Sequence, residues 1–229
     1  MQSLIQTPTN KLEDSLSFYE KLGFMNVGGK NRIVVTDGIA LIEINPDRIA
    51  RAGVKLFKKK WTTEVTKLKK LTSVHKIDGG HLLSDMNGVW IYLVEDGLKL
   101  NFKPSAKSFS AFGNCAGLSL ESTDVTGSVA IWKTLGFKTS GPPDKGWVAC
   151  VNADGLMVNI MNPLMCPHLF FNPSLTYFNG KEGNPKVIKE IRKLKIPIAE
   201  EITHFNDKGI VDNIIVRDPG GFGFFIFND

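Results

Sequence analysis

Four histidines and three cysteines are the side chains of this 229-residue chain best suited to hold a metal, and their spacing decides against most such chemistry. His75, His81, His168 and His204 contain no HxH or HxxxH pair, so no two imidazoles are offered by one strand face or one helical turn. Cys115, Cys150 and Cys166 form neither a CxxC nor a zinc-finger spacing. Their odd number argues against a disulfide framework and for small buried apolar side chains. Cys166 and His168 could chelate softly together, but two donors from one segment with no third do not make a site, and packing accounts for them better. No GxSxG elbow and no glycine-rich phosphate loop is present.

The elements that would position any such group belong to a globular chain. At 42% hydrophobic and 22% charged, it can bury a full core or two small ones. No apolar run reaches the ~18–20 residues a bilayer requires, and MQSLIQTPTNKLED has neither the basic nor the apolar region of a secretion signal. A cytoplasmic protein with no membrane partner is expected. The net charge of +5 is local: residues 51–110 hold twelve Lys and Arg against five Asp and Glu. Trp61, Val65, Leu68 and Leu71 fall at helical spacing, leaving Lys58, Lys59, Lys60, Lys67, Lys69 and Lys70 to a solvated face. Trp61, the aromatic residue among them, belongs to the apolar stripe and leaves the lysines without base-stacking positions, so nucleic acid is not the expected partner.

A repeat organises the chain. SLSFYEKLGF at 15–24 recurs as SVAIWKTLGF at 128–137, each preceded by a strand-like stretch and followed by strands ending in DGIALIEINP and DGLMVNIMNP. Each half holds a second, more diverged unit. GVKLF leads to the Trp61–Leu71 helix and then to HLLSDM, GVWIYLVED and GLKLNF. SLTYFN leads to NPKVIKEIRKLK, capped at Asn184–Pro185, and then to AEEITHF, IVDNIIVRDPG and FGFFIF. Four βαβββ units result, with antiparallel neighbours and helices covering one sheet face: an α+β fold.

The S-x-x-aromatic-aromatic-x-x-LGF helix and the DPGGFGFF turn resemble those of the vicinal oxygen chelate superfamily, which includes glyoxalase I, extradiol dioxygenases and bleomycin resistance proteins. The resemblance implies two tandem glyoxalase-like domains, 1–105 and 114–229, joined by KPSAKSFSAFGN. Their mixed sheets would curl into cups with the helices outside. It also implies a divalent metal held by His, Gln or Glu on first strands and Glu on last strands. The implied first-strand positions are Leu4, Gly53, Gly117 and Ser174, and the last-strand positions are Glu43, Asn101, Asn159 and Phe225. One carboxylate, Glu43, is left, and a gapless match of the two halves would turn it to the opposite face. No metal and no cofactor are expected.

In the second cup the resemblance places Gly117, Ser119, Glu121, Asn159, Ser174, Thr176, Phe178 and Phe225, small or aromatic groups that leave room for a partly apolar small molecule. In the first, Leu4, Gln6 and Lys55 project, and Lys55 would fill the cup or pair with Glu43. Two functional classes fit. One is a metal-free protein similar to the bleomycin-resistance branch, binding a small molecule or, with filled cups, another protein. The other is a metal-dependent lyase or dioxygenase with atypical ligands. A duplicated chain supplies its own unit pairing, so both monomer and homodimer are consistent with the sequence.

Overall fold

The computed structural model describes residues 1–29, 32–100, 102–141 and 145–228. Unit one comprises β1 (Gln2–Pro8), α1 (Leu12–Lys21), β2 (Met25–Asn26), β3 (Val34–Thr36) and β4 (Leu41–Asn45). Unit two comprises β5 (Gly53–Phe57), α2 (Thr62–Leu68), β6 (Val74–Ile77), β7 (Gly80–Ser84) and β8 (Trp90–Val94). Unit three holds β9 (Cys115–Glu121), α3 (Val125–Thr134), β10 (Lys138–Ser140), β11 (Trp147–Val151) and β12 (Met157–Met161). Unit four holds β13 (Ser174–Phe178), α4 (Gly180–Lys193), β14 (Ile198–Ile202), β15 (Asn213–Arg217) and β16 (Gly223–Phe227). Two eight-stranded mixed sheets follow, ordered β2-β3-β4-β1-β5-β8-β7-β6 and β10-β11-β12-β9-β13-β16-β15-β14, the same topology twice.

Local sequence explains most boundaries. Gly23 (φ +82°) and Gly136 (φ +93°) stop the two repeat helices in the left-handed conformation that a Cβ disfavours. Asp124 caps α3, its carboxylate accepting from the Gly127 amide at 2.8 Å.

Two expectations are corrected. The helix of unit four starts at Gly180, not at Asn184, and Pro185 lies inside it. Asn184 is buried and donates to the carbonyls of Asp212 (2.6 Å) and Ile226 (3.1 Å), tying the helix to the sheet instead of capping it. In unit two the three later strands are β6, β7 and β8, so GLKLNF is not one of them. The alternation of Leu98, Leu100 and Phe102 serves another purpose: these side chains join Leu4, Val34 and Phe57 in a buried cluster on the first sheet.

Period-two alternation divides each sheet. Ile5, Ile42, Ile44, Val54, Leu56, Ile91 and Leu93 of the first, and Leu118, Leu120, Val158, Ile160, Leu175, Tyr177 and Phe224 of the second, enter one continuous core with Phe18, Tyr19 and Trp132 from the helices. The helices lie outside the cups, yet their apolar stripes are inside the molecule, because the helix-bearing faces of both sheets share this core.

Buried carboxylates cross-link it. Asp218, in the DPGG turn, accepts from the Phe222 amide (2.8 Å), Thr7 Oγ1 (2.7 Å) and Tyr19 Oη (2.9 Å). Asp85, in the corresponding turn of unit two, accepts from Trp132 Nε1 at 2.6 Å. Tyr19 and Trp132 are equivalent residues of the repeated helix, so the two contacts are related by the duplication. Among the described residues no helix is long and apolar enough to cross a membrane.

Removing the Tyr19 donor leaves a buried acceptor short of a partner, so Tyr19→Phe should lower stability by about 1–3 kcal/mol, read from the urea midpoint at unchanged slope. Burial holds the Asp218 and Asp85 carboxyls above the ordinary carboxylate range. The folded state therefore keeps those protons where the unfolded chain has lost them. Their contribution is full below about pH 4 and declines as pH rises through the raised values. Urea titrations from pH 4 upward should show a shallower decline for Asp218→Asn than for the wild type.

Candidate functional site

The first and last strands of every unit pair in parallel, and their register assigns the four equivalent positions: Gln6 beside Glu43, Lys55 beside Tyr92, Ser119 beside Asn159, and Thr176 beside Phe225. This corrects the positions counted from the helices. The first-strand residues beside the last-strand positions are Gln6, Lys55, Ser119 and Thr176, each two residues beyond Leu4, Gly53, Gly117 and Ser174. In unit two the last-strand residue is Tyr92. Asn101 lies outside the described residues and beyond that strand. The register also makes Glu43 equivalent to Asn159, and places it on the cup face, opposite to Ile42 and Ile44 in the core.

The first cup is charged at its floor. Lys55 Nζ lies 2.7 Å from Glu43 Oε2 and Arg32 Nε 3.6 Å from Oε1. The lysine contact is a close ion pair whose approach falls off the line of a good hydrogen bond. Burial lowers the pKa of Lys55, and the Glu43 carboxylate works against that shift. Gln6 is committed on both sides: its Nε2 donates to the Arg51 carbonyl at 2.7 Å, and its Oε1 accepts from Asn45 Nδ2 at 2.8 Å. The guanidinium of Arg32 stands 4.8 Å from the Phe57 ring centroid. Leu98, Leu100 and Phe102 cover the apolar part of this face.

A divalent cation does not fit these residues. The one carboxylate already faces two cations, and a third positive charge would have to displace an ammonium from it. Among the described residues no group of three or more His, Cys, Asp and Glu side chains could hold a metal.

The floor of the second cup is polar, small and closed. Ser119 Oγ and Thr176 Oγ1 share a hydrogen bond of 2.7 Å, Ser174 Oγ donates to the Ser119 carbonyl at 3.4 Å, and Asn159 Nδ2 donates to the carbonyls of Ala116 (3.1 Å) and Leu118 (3.2 Å). These four are brought together and buried. Phe225 lies beside them, also buried, while Phe178 is 41% exposed at the strand end next to Phe227. Glu121 is half-buried, and one of its carboxylate oxygens is out of water without a hydrogen-bond partner.

Gly117 departs from the group. At φ +99°, beside a register shift in β13, it is pressed on Met157, whose carbonyl oxygen a Cβ would meet at 2.6 Å. Its small size accommodates the Met157 backbone. The cavity it lines, about 170 Å³, is shared with Ile5 and Ala40 of the other half.

What occupies the second cup is the chain itself. Phe170 and Phe171, from the strap of residues 162–173, pack on Ile202, Ile215 and Phe225. Phe170 meets Phe225 at 5.0 Å between centroids. His168 stands edge-on to Phe225 (5.4 Å) and Phe227 (4.9 Å). At the mouth a cleft of about 370 Å³ remains, lined by Met165, His168, Phe205 and Phe227 among others. Sequence reasoning missed this strap. The adjacent phenylalanines between PHL and NPS were its one signal, and nothing local says which sheet face a connecting segment will cover.

The fold, two eight-stranded mixed sheets built in tandem from βαβββ units, is shared with extradiol dioxygenases and a glyoxalase of known structure. The 2,3-dioxygenase LapB from Pseudomonas sp. KL28 superposes with a TM-score of 0.57 at 13% identity, over 100% of this chain and 92% of that one. The Mn(II)-bound glyoxalase from Novosphingobium aromaticivorans gives 0.58 at 13% identity, over 97% and 79%. A catechol 2,3-dioxygenase gives 0.53 at 12% identity, over 97% and 85%. At such identities the likeness establishes architecture alone. No family model and no curated protein matches the sequence.

Lys55→Met leaves Glu43 buried with only the more distant Arg32, and should cost about 3–5 kcal/mol by chemical denaturation. Adding Glu43→Gln should restore most of that loss, giving a favourable coupling in the double-mutant cycle.

Proposed function

We propose that this chain is a metal-free protein of the glyoxalase and bleomycin-resistance type that binds a small, partly apolar molecule at its second cup. One observation carries the reading: the four paired strand positions hold Gln6 and Glu43, Lys55 and Tyr92, Ser119 and Asn159, Thr176 and Phe225. An ammonium faces the single carboxylate, and the second cup supplies hydroxyls, one amide and a phenyl ring. None of these sets offers the converging anionic or imidazole donors that a Lewis acid needs.

The glyoxalase named above holds Mn(II), and that chemistry does not carry over to these residues. The second cup is favoured over the first because its mouth keeps an aromatic cleft of about 370 Å³, within the size range of small-molecule sites. The lysines around α2 belong to a solvated face and take no part.

Elemental analysis of protein purified without chelator, then equilibrated with manganese, iron, nickel and zinc, is expected to find well under one metal per chain. Calorimetric titration with the same metals should give no saturable heat. About one equivalent of any of them, lost in Glu43→Ala, would restore the metal-enzyme alternative.

A further inference from the structure

The cleft at the mouth of the second cup has one polar group to spare. Both ring nitrogens of His168 are withdrawn from water and neither has a hydrogen-bond partner among the described residues. The other polar side chains on the lining are already committed. Asn213 Oδ1 accepts from the Asn228 amide at 2.8 Å, while Asn213 Nδ2 and Asn228 Nδ2 donate to the Asp212 carboxylate at 3.0 and 3.4 Å.

The walls are aromatic and thioether: His168 is edge-on to Phe227 at 4.9 Å and to Phe205 at 6.2 Å. Phe205 and Met165 are 48% and 51% exposed, large apolar surfaces left in water beside a concavity. At about 370 Å³ the cleft lies toward the small end of ligand pockets, which begin near ~300 Å³, and it is too small for a folded element of a partner protein. No cation lines it, and burial lowers the pKa of His168, so the imidazole is neutral, with one donor and one acceptor nitrogen.

Resting on the small-molecule reading above, we propose that this cleft takes a flat, uncharged aromatic molecule bearing one ring-borne hydrogen-bond donor, packed against Phe205 and Phe227 and paired with His168. Edge-to-face contact with the existing rings favours a planar occupant over a branched aliphatic one. An unpaired acceptor in an apolar wall discriminates strongly for a donor of matching position, because a ligand lacking it leaves the nitrogen unpaired. Access to the nitrogens is through the strap. The segment is tied by Phe170 and Phe171, by the Leu169 amide on Glu200 (2.8 Å) and by Cys166, whose Sγ donates to Met161 Sδ at 3.8 Å.

Indole and 1-methylindole, alike except for the N–H, test this by isothermal titration on the full chain. Indole should bind about tenfold more tightly. His168→Phe should bring the two within about twofold of one another. Phe205→Ala, at an exposed position that leaves the fold intact, should weaken both by a similar factor. If the two probes bind equally, or if the preference for indole survives in His168→Phe, the assignment to His168 is wrong while small-molecule binding stands. If both probes bind and Phe205→Ala changes neither, the site lies elsewhere and the cleft is excluded. If neither probe binds up to its solubility limit, the assignment falls, and naphthalene and cyclohexanol, titrated in the same way, decide the broader reading: it falls only if they fail as well.

Discussion

Each sheet carries apolar side chains on both faces and the chain must cover both. The helix-bearing faces are covered mutually, since Phe18, Tyr19 and Trp132 reach a core to which both halves contribute. That leaves two concave faces pointing away from the core, and an exposed sheet face carrying Leu4, Val34 and Phe57, or Ile202, Ile215 and Phe225, would be a large apolar patch. The rest of the structure answers this constraint. Leu98, Leu100 and Phe102 cross the first cup, and Phe170 and Phe171 cross the second, so segments that connect units also cover faces. Burying a phenylalanine or leucine side chain contributes about 1.5–3 kcal/mol, which makes each strap an ordinary piece of core.

The two cups then differ in what the covering leaves over. In the first, the residue at the unit-two position is a lysine whose ammonium lies against Glu43, with Arg32 on the other oxygen, so the carboxylate is taken up within the chain. A buried pair of this kind adds little net stability but makes each partner costly to remove. In the second, the floor is neutral and satisfied by its own hydrogen bonds, and the covering strap ends short of the rim. An aromatic cleft persists there with an imidazole that has no hydrogen-bond partner among the described residues. The asymmetry arises from a few side chains on an otherwise repeated scaffold, the usual way in which a duplicated fold acquires different sites.

The carboxylates Asp218 and Asp85 illustrate how the duplication is held in register. Each begins a turn between the last two strands of one half and accepts from the aromatic residue of the repeated helix in the other half, Tyr19 or Trp132. An aromatic side chain with a polar tip can be buried deeply only if that tip finds a partner. The turn aspartates supply it, and so fix how the two halves meet.

From the residues alone, the SLSFYEKLGF and SVAIWKTLGF repeat and the glycine stops determined a duplicated chain of four βαβββ units, because helical and strand periodicities and turn chemistry are local properties; the tandem cupped fold followed from the family resemblance, which the DPGG turn helped to carry. The same reading had Lys55 either fill the first cup or pair with Glu43, and the structure shows the pair. Which first-strand residue stands beside which last-strand residue was decided only by the tertiary structure: Gln6, Lys55, Ser119 and Thr176 were legible as cup residues, but their pairing with Glu43, Tyr92, Asn159 and Phe225 depends on inter-strand register. Gly117 read as empty space because its type is visible in sequence, whereas the Met157 backbone pressed on it is not. The strand-like alternation of GLKLNF and the Phe170–Phe171 pair were legible as apolar segments. Which face each would cover depended on what the remaining chain had left exposed, a property of the whole packed molecule and of no single stretch of it.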